Sequence, residues 1–209
     1  MDASHIKAVI FDCDGVMFDT SKANKKFYDT VLALFKKPEI SNEQFENIHK
    51  MSVIQAIQYL FLKPEDQKIA FEYIKNIGYD QFIEYMVMEK GLIRLLKALN
   101  NHNIIRGIGT NRTNTMEKVL KVFELENYFE IVVTASDVQY AKPHPDQLLL
   151  IMSKFDLMPD QVFFIGDSDY DQKAAQGAKT WFAAFKNSDL KADFQVNSMD
   201  EVSEILKVN

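Results

Sequence analysis

Two aspartates one residue apart, Asp12 and Asp14, close an apolar run and stand just before Gly15, the first glycine of the chain. Side chains on a strand alternate between faces, so the pair shares a side if the strand continues. At a frayed strand end both carboxylates reach one small volume. Like charges that close repel. A hard cation taking oxygen ligands, or a shifted pKa that leaves one carboxyl protonated, offsets the repulsion, and either describes an active site. A solvated Asp-rich turn is the plain alternative. A calcium loop is disfavoured because the Asp-x-Asp-x-Asp-Gly spacing and terminal glutamate are absent. Cys13, between the two aspartates, points to the opposite face and reads as structural. As the single cysteine it forms neither an internal disulfide nor a cysteine metal cluster, which fits a reducing compartment.

The elements that must position these residues follow from patterning. At 209 residues and 47% hydrophobic content the chain can bury a full core and carry a smaller second unit. Residues 1–15 and 89–209 alternate short β-rich runs with helical stretches, the pattern of a doubly wound parallel sheet. Strands are predicted at Lys7 to Phe11, Ile104 to Ile108, Ile131 to Thr134, Val162 to Ile165 and Thr180 to Ala184. Helices are predicted near Leu92 to Leu99, Thr113 to Phe123, Gln147 to Phe155 and Gln172 to Gln176. Residues 16–88 read as an inserted helical bundle, rich in Phe, Tyr, Lys and Glu. Thr20 or Ser21 is its opening N-cap, and Pro38 and Pro64 fall at helix breaks.

An open parallel sheet binds ligand beyond the carboxyl ends of its strands. Residues there form a coherent set: Asp12 and Asp14; Gly109-Thr110-Asn111-Arg112; Lys142 in Ala141-Lys142-Pro143-His144-Pro145; and Gly166-Asp167-Ser168-Asp169-Tyr170-Asp171. Carboxylates, a hydroxyl and a lysine at one edge suit a divalent metal with a phosphoryl group. Bland readings compete. Thr110 could cap the helix predicted from Thr113, Lys142 could be solvated, Asp169 reads as a surface carboxylate, and His144 as loop surface. The Gly107-x-Gly109 pair is not a dinucleotide fingerprint, because Arg112 stands where its third glycine belongs.

With those four segments in order, the chain resembles the haloacid dehalogenase superfamily, in its phosphatase-like branch with a helical cap inserted after the first motif. That branch includes phosphoglycolate phosphatases and β-phosphoglucomutases. The resemblance implies a Rossmann-like core with strand order 5-4-1-2-3, the Asp12 strand lying at the switch point. It implies Asp12 as nucleophile, Asp14 as acid and base, and Thr110, Asn111 and Lys142 around the phosphoryl group. Mg²⁺ would be held by Asp12, the Asp14 backbone carbonyl, Asp167 and, through water, Asp171. Dehalogenation itself needs no proton donor, so Asp14 points to phosphoryl chemistry. A sugar phosphomutase and a non-catalytic binding module on the same fold are the alternatives. The stretch Asn47-Ile48-His49-Lys50-Met51-Ser52 lacks the Gly- and Arg-containing loop that capped relatives often place between cap helices.

The net charge of -6 argues against nucleic acid as the main partner, which needs a basic stripe. No apolar run is long enough to span a bilayer and no secretory leader is visible, so the expectation is a cytoplasmic monomer or weak homodimer acting on a small phosphorylated metabolite. Residues 16–20 and 84–90 are expected to hinge the insert. Lys22, Lys25 and Lys26 either attract an anionic substrate or form a solvated helix face.

Overall fold

The computed structural model describes residues 3–48 and 51–208. Strand β1, Ala8–Phe11, has all four side chains buried, as a strand covered on both faces requires. A two-stranded ladder follows at β2, Phe18–Asp19, and β3, Val87–Met88. The remaining strands are β4 Ile105–Gly109, β5 Ile131–Val133, β6 Val162–Gly166, β7 Trp181–Phe185 and β8 Phe194–Val196. The main sheet runs β5-β4-β1-β6-β7-β8, parallel at every pairing. The five expected strands stand in the expected order. The sixth, β8, was not anticipated, because Phe-Gln-Val is too short and mixed to carry a strand pattern. The chain winds from β1 toward β5 on one side, then resumes at β6 on the other, so β1 and β6 flank the switch point.

The chain divides into two compact units, Met1–Asp19 with Val87–Asn209, and Thr20–Met86. This boundary differs from the expected one. Residues 16–19 and 87–88 fall in the sheet unit, where Phe18 pairs with Met88 and Asp19 with Val87 in the antiparallel ladder. Both segments expected to hinge therefore pass through β2 and β3.

In the sheet unit, α5 Leu92–Asn101 lies against β4 and α9 Met199–Leu206, while α7 Asp146–Lys154 and α8 Asp169–Ala178 pack together on the sheet. Ala174, Ala175 and Ala178 let α8 approach Ile10, Phe164 and Phe182, and Leu148 and Ile151 fill the space beside them. Each large side chain buried this way contributes about 1.5–3 kcal/mol. The helix α6 runs Met116–Val122, three residues later than the earliest predicted start.

The second unit holds α1 Ser21–Leu34, α2 Asn42–Ile48, α3 Val53–Leu60 and α4 Pro64–Ile77, then a 3-10 turn over Asp80–Tyr85. Pro64 sits in the first turn of α4, where its missing N–H loses no bond, and Gly78 ends that helix at φ 63°. Phe27 of α1 meets the Phe82 ring edge-on at 5.5 Å. Thr20 is the N-cap of α1 by position but makes no side-chain cap bond, and its hydroxyl accepts from Asn24 Nδ2 at 3.3 Å. Lys25 is bound to Asp29 at 2.8 Å, an i,i+4 pair that supports the solvated-face reading of the lysine cluster. His49 and Lys50, in the stretch set against the relatives' specificity loop, lie outside the described residues. Among the described residues no helix is long and apolar enough to cross a membrane.

Candidate active site

The ladder carries one residue past β1, with the Asp12 N–H donating to the Ile165 carbonyl at 2.9 Å, and then turns away. Gly15 adopts φ 78°, and the Cys13 carbonyl accepts from the N–H groups of Met17 and Phe18. Asp12 and Asp14 therefore do not share a strand face. Asp12 is buried, and its Oδ1 accepts from the Cys13 N–H at 2.7 Å and from Lys142 Nζ at 2.8 Å. The Asp14 carboxylate is turned onto Arg112, whose Nε and Nη2 donate to it at 2.8 and 2.7 Å. It lies outside the acidic cluster that the two aspartates were expected to share. The intervening Cys13 is buried, and burial holds its thiol well above the ordinary value, which fits the structural reading.

Lys142 is the electrostatic hub. Its ammonium carries three hydrogens and meets three acceptors: Asp12, Asp171 at 2.6 Å, and the Gly109 carbonyl at 3.0 Å. Burial opposes its charge, but Asp12 and Asp171 outweigh burial and hold the lysine above its usual pKa. The solvated-lysine reading is overturned. Asn111 Nδ2 donates to the Lys142 carbonyl at 2.9 Å and so fixes the backbone of that loop.

Asp171 is fully buried, and both its oxygens are engaged. One meets Lys142, and the other accepts from the Ser168 N–H at 3.1 Å and from the Ser168 hydroxyl. Ser168 and Asp171 form the capping box of α8, so the local Ser-x-x-Asp sequence sets the carboxylate in place. Asp167 follows β6 directly. A Cβ on Gly15 would stand 2.0 Å from Asp167 Oδ2, so the glycine makes the space that this carboxylate occupies. Gly166 stands in the same relation to the Asp171 side chain, at 2.3 Å.

One carboxylate oxygen from each of Asp12, Asp167 and Asp171 lies within 4.8 Å of the others. A single ammonium faces three carboxylates. Burial pushes the Asp12 carboxyl up to about 7, Lys142 pulling it down less than burial raises it and Asp171 adding to the rise. Burial likewise pushes Asp167 up to about 8, with Asp12 and Asp171 adding to it. Excess negative charge among oxygen donors fits a hard divalent cation. Asp12 and Asp167 are the better direct ligands, since Asp171 is already committed to Lys142 and Ser168.

Thr110 is buried after β4, its N–H donating to the Val133 carbonyl at 3.0 Å. Its hydroxyl accepts from the Arg112 N–H at 3.2 Å, and α6 starts beyond it, so it caps no helix there. Three supporting residues escaped the sequence reading. Gln147, fully buried, donates from Nε2 to the Thr110 carbonyl at 2.7 Å, and Asn187 Nδ2 donates to the Asp167 carbonyl at 2.8 Å. Asn187 follows β7, so extending the strand-end survey by one strand would have found it. Arg112 was visible in the Thr110 segment, but a long-range pairing to Asp14 leaves no local signal. Asp169 pairs with Lys173 at 2.5 Å on the surface, and His144 is exposed beside Tyr140, as expected for both.

Gly15→Ala tests the cradle. The substitution strains a left-handed backbone and drives Asp167 aside, so the affinity of the carboxylate cluster for a divalent cation should fall about tenfold or more. A calorimetric titration of Mg²⁺ into the folded variant and the unaltered protein reads this directly. An unchanged affinity would mean that Asp167 takes no part in cation binding.

The family profile for haloacid dehalogenase-like hydrolases matches residues 9–185. A phosphoglycolate phosphatase of Salmonella choleraesuis (strain SC-B67) is 40% identical over 84 residues, 40% of this chain and 33% of the relative. The corresponding enzyme of Escherichia coli (strain K12) is 38% identical over 84 residues, with the same coverage of 40% and 33%. The chain thus spans about a third of the length of these curated relatives. A solved HAD-superfamily hydrolase, subfamily IA, variant 1, from Geobacter sulfurreducens PCA superposes with TM-score 0.88 at 36% identity, covering 97% of each chain. A β-phosphoglucomutase from Clostridium difficile shares the fold, with TM-score 0.74 at 20% identity over 97% of each chain.

Proposed function

The chain belongs to the haloacid dehalogenase-like hydrolase family, and we propose that it is a Mg²⁺-dependent phosphatase of a small phosphorylated metabolite, acting through an aspartyl phosphate on Asp12. The observation that carries this reading is the Lys142 hub. One buried ammonium, bound at 2.8 Å to Asp12, offsets the charge of a nucleophilic carboxylate beside Asp167 at the switch point of the sheet. The likeness to phosphoglycolate phosphatases supports the reaction class.

Asp12 attacks phosphorus through a carboxylate oxygen, and the bond from phosphorus to the leaving oxygen breaks. Asp14 donates a proton to that oxygen, then takes one from the water that hydrolyses the acyl phosphate, releasing inorganic phosphate and restoring Asp12. The Thr110 hydroxyl and the Asn111 amide orient the phosphoryl oxygens. Lys142 stabilises charge on Asp12 and, by yielding one of its three present bonds, on the transferring group. Asp12, Asp167 and the Asp14 carbonyl would hold Mg²⁺, with Asp171 acting through water. Bound there, the ion would supply positive charge to offset that of the phosphoryl oxygens and the repulsion among the carboxylates.

A phosphate-release screen with Mg²⁺ against phosphorylated sugars, phosphoglycolate, nucleotides and phosphorylated cofactors tests the reading. Release from one class is the expected result, and none from any class by folded protein would sink it. The two aspartates separate in Asp14→Asn. With an aryl phosphate, whose leaving group needs little protonation, the variant should release about one equivalent of phenol in a burst and then stall. An alkyl phosphate should give no burst. Rapid-quench measurement of both checks the assignment.

A further inference from the structure

Arg112 brings together groups that no strand register aligns. Its side chain is 8% exposed, whereas that of Asp14 is 41% exposed. Nε and Nη2 form a fork on the two Asp14 oxygens at 2.8 and 2.7 Å. Nη1 donates to the Thr115 hydroxyl at 3.0 Å. Thr115 occupies the N-cap of α6, a place where threonine ordinarily bonds the helix, yet its side chain makes no cap bond. The helix gives up that bond and anchors the guanidinium. From its own backbone, Arg112 donates to the Thr110 hydroxyl at 3.2 Å.

We propose that Arg112 is the positioning residue for Asp14, setting the direction in which that carboxylate meets the leaving oxygen of the substrate. A two-bond fork fixes both the place and the plane of a carboxylate, which a single ammonium contact does not. Asp14 needs such a device, because β1 ends at Phe11 and its ladder carries only one residue further, to Asp12, so no strand register holds Asp14. The role rests on Asp14 acting as acid and base.

The test compares the phosphorylation step on an alkyl and an aryl phosphate, in single turnover, for Arg112→Met, Arg112→Lys, Asp14→Asn and the double variant Asp14→Asn with Arg112→Met. The ratio of the two rates comes from one preparation and does not depend on the fraction folded. Arg112→Met should slow the alkyl substrate about tenfold or more beyond the aryl one. Arg112→Lys, which keeps the charge and one contact, should recover part of that ratio. The double variant should show the ratio of Asp14→Asn alone, because no carboxylate remains to aim. Equal slowing of both substrates by Arg112→Met, or a double-variant ratio equal to the product of the single effects, overturns the proposal. Absence of any alkyl-aryl difference in Asp14→Asn, where Arg112 is intact, would instead remove the acid assignment itself and the Arg112 role with it.

Discussion

Asp12→Asn should abolish turnover by orders of magnitude while making the metal-free protein more stable at pH 8. On the proposed mechanism, the activity loss follows from replacing the attacking carboxylate by an amide. The gain in stability follows from burial, which pushes the Asp12 carboxyl up to about 7 against an ordinary 3.8. At pH 8 that group is ionised in folded and unfolded chains alike, and the folded chain bears the cost. Asparagine keeps an oxygen for the Lys142 and Cys13 bonds and removes the charge. A rise of about 5 °C in the melting temperature is expected, from roughly 1–2 kcal/mol in a chain of this size. Paired activity assays and thermal melts in chelator check both halves. A folded, fully active Asp12→Asn removes the covalent mechanism.

Metal removal has an effect of similar size, and its pH dependence has a definite sign. Asp12 and Asp167 have folded values of about 7 and about 8, both raised from 3.8. From pH 4 upward the unfolded chain has released protons that the folded chain still holds, so these groups lower stability as pH rises. The fall should continue to about pH 8 and then level off. On the proposed reading, a divalent cation bound by these carboxylates would take the place of those protons. Activity should vanish in chelator and return with Mg²⁺, and Mg²⁺ should raise the melting temperature by several degrees at pH 8 and far less at pH 5. Melts across that range with and without the ion read the difference. An equal Mg²⁺ effect at both pH values would separate metal binding from these carboxylates.

The sheet was legible because its strands are apolar runs and its loops carry unlike chemistry. Val162 to Ile165 and Trp181 to Phe185 announce themselves, whereas β8 has only Phe194 and Val196 to show. Asp12, Lys142 and Asp167 were found from the rule that ligands gather beyond strand ends. Their distances were not. Two facts of geometry decide the site: beyond the end of β1 the Asp14 carboxylate is held on Arg112, and the Ser168 capping box turns Asp171 onto Lys142. The first was misread, because strand alternation was extended past a residue that leaves the strand. Gln147 lay hidden for a different reason. A lone amide in an apolar helix carries no mark that it reaches the Thr110 carbonyl, 37 residues away in sequence.

The covalent step proposed at Asp12 is most directly tested by reducing the acyl phosphate it would form. An acyl phosphate on aspartate is cleaved by borohydride to homoserine, whereas a free carboxylate is untouched. Asp14→Asn should be mixed with an aryl phosphate and Mg²⁺, quenched during the burst, reduced, digested and read by tandem mass spectrometry. Homoserine at position 12, in about the amount of phenol released, is the predicted result. Unmodified aspartate at position 12 alongside a full burst, or the label on another residue, would contradict it.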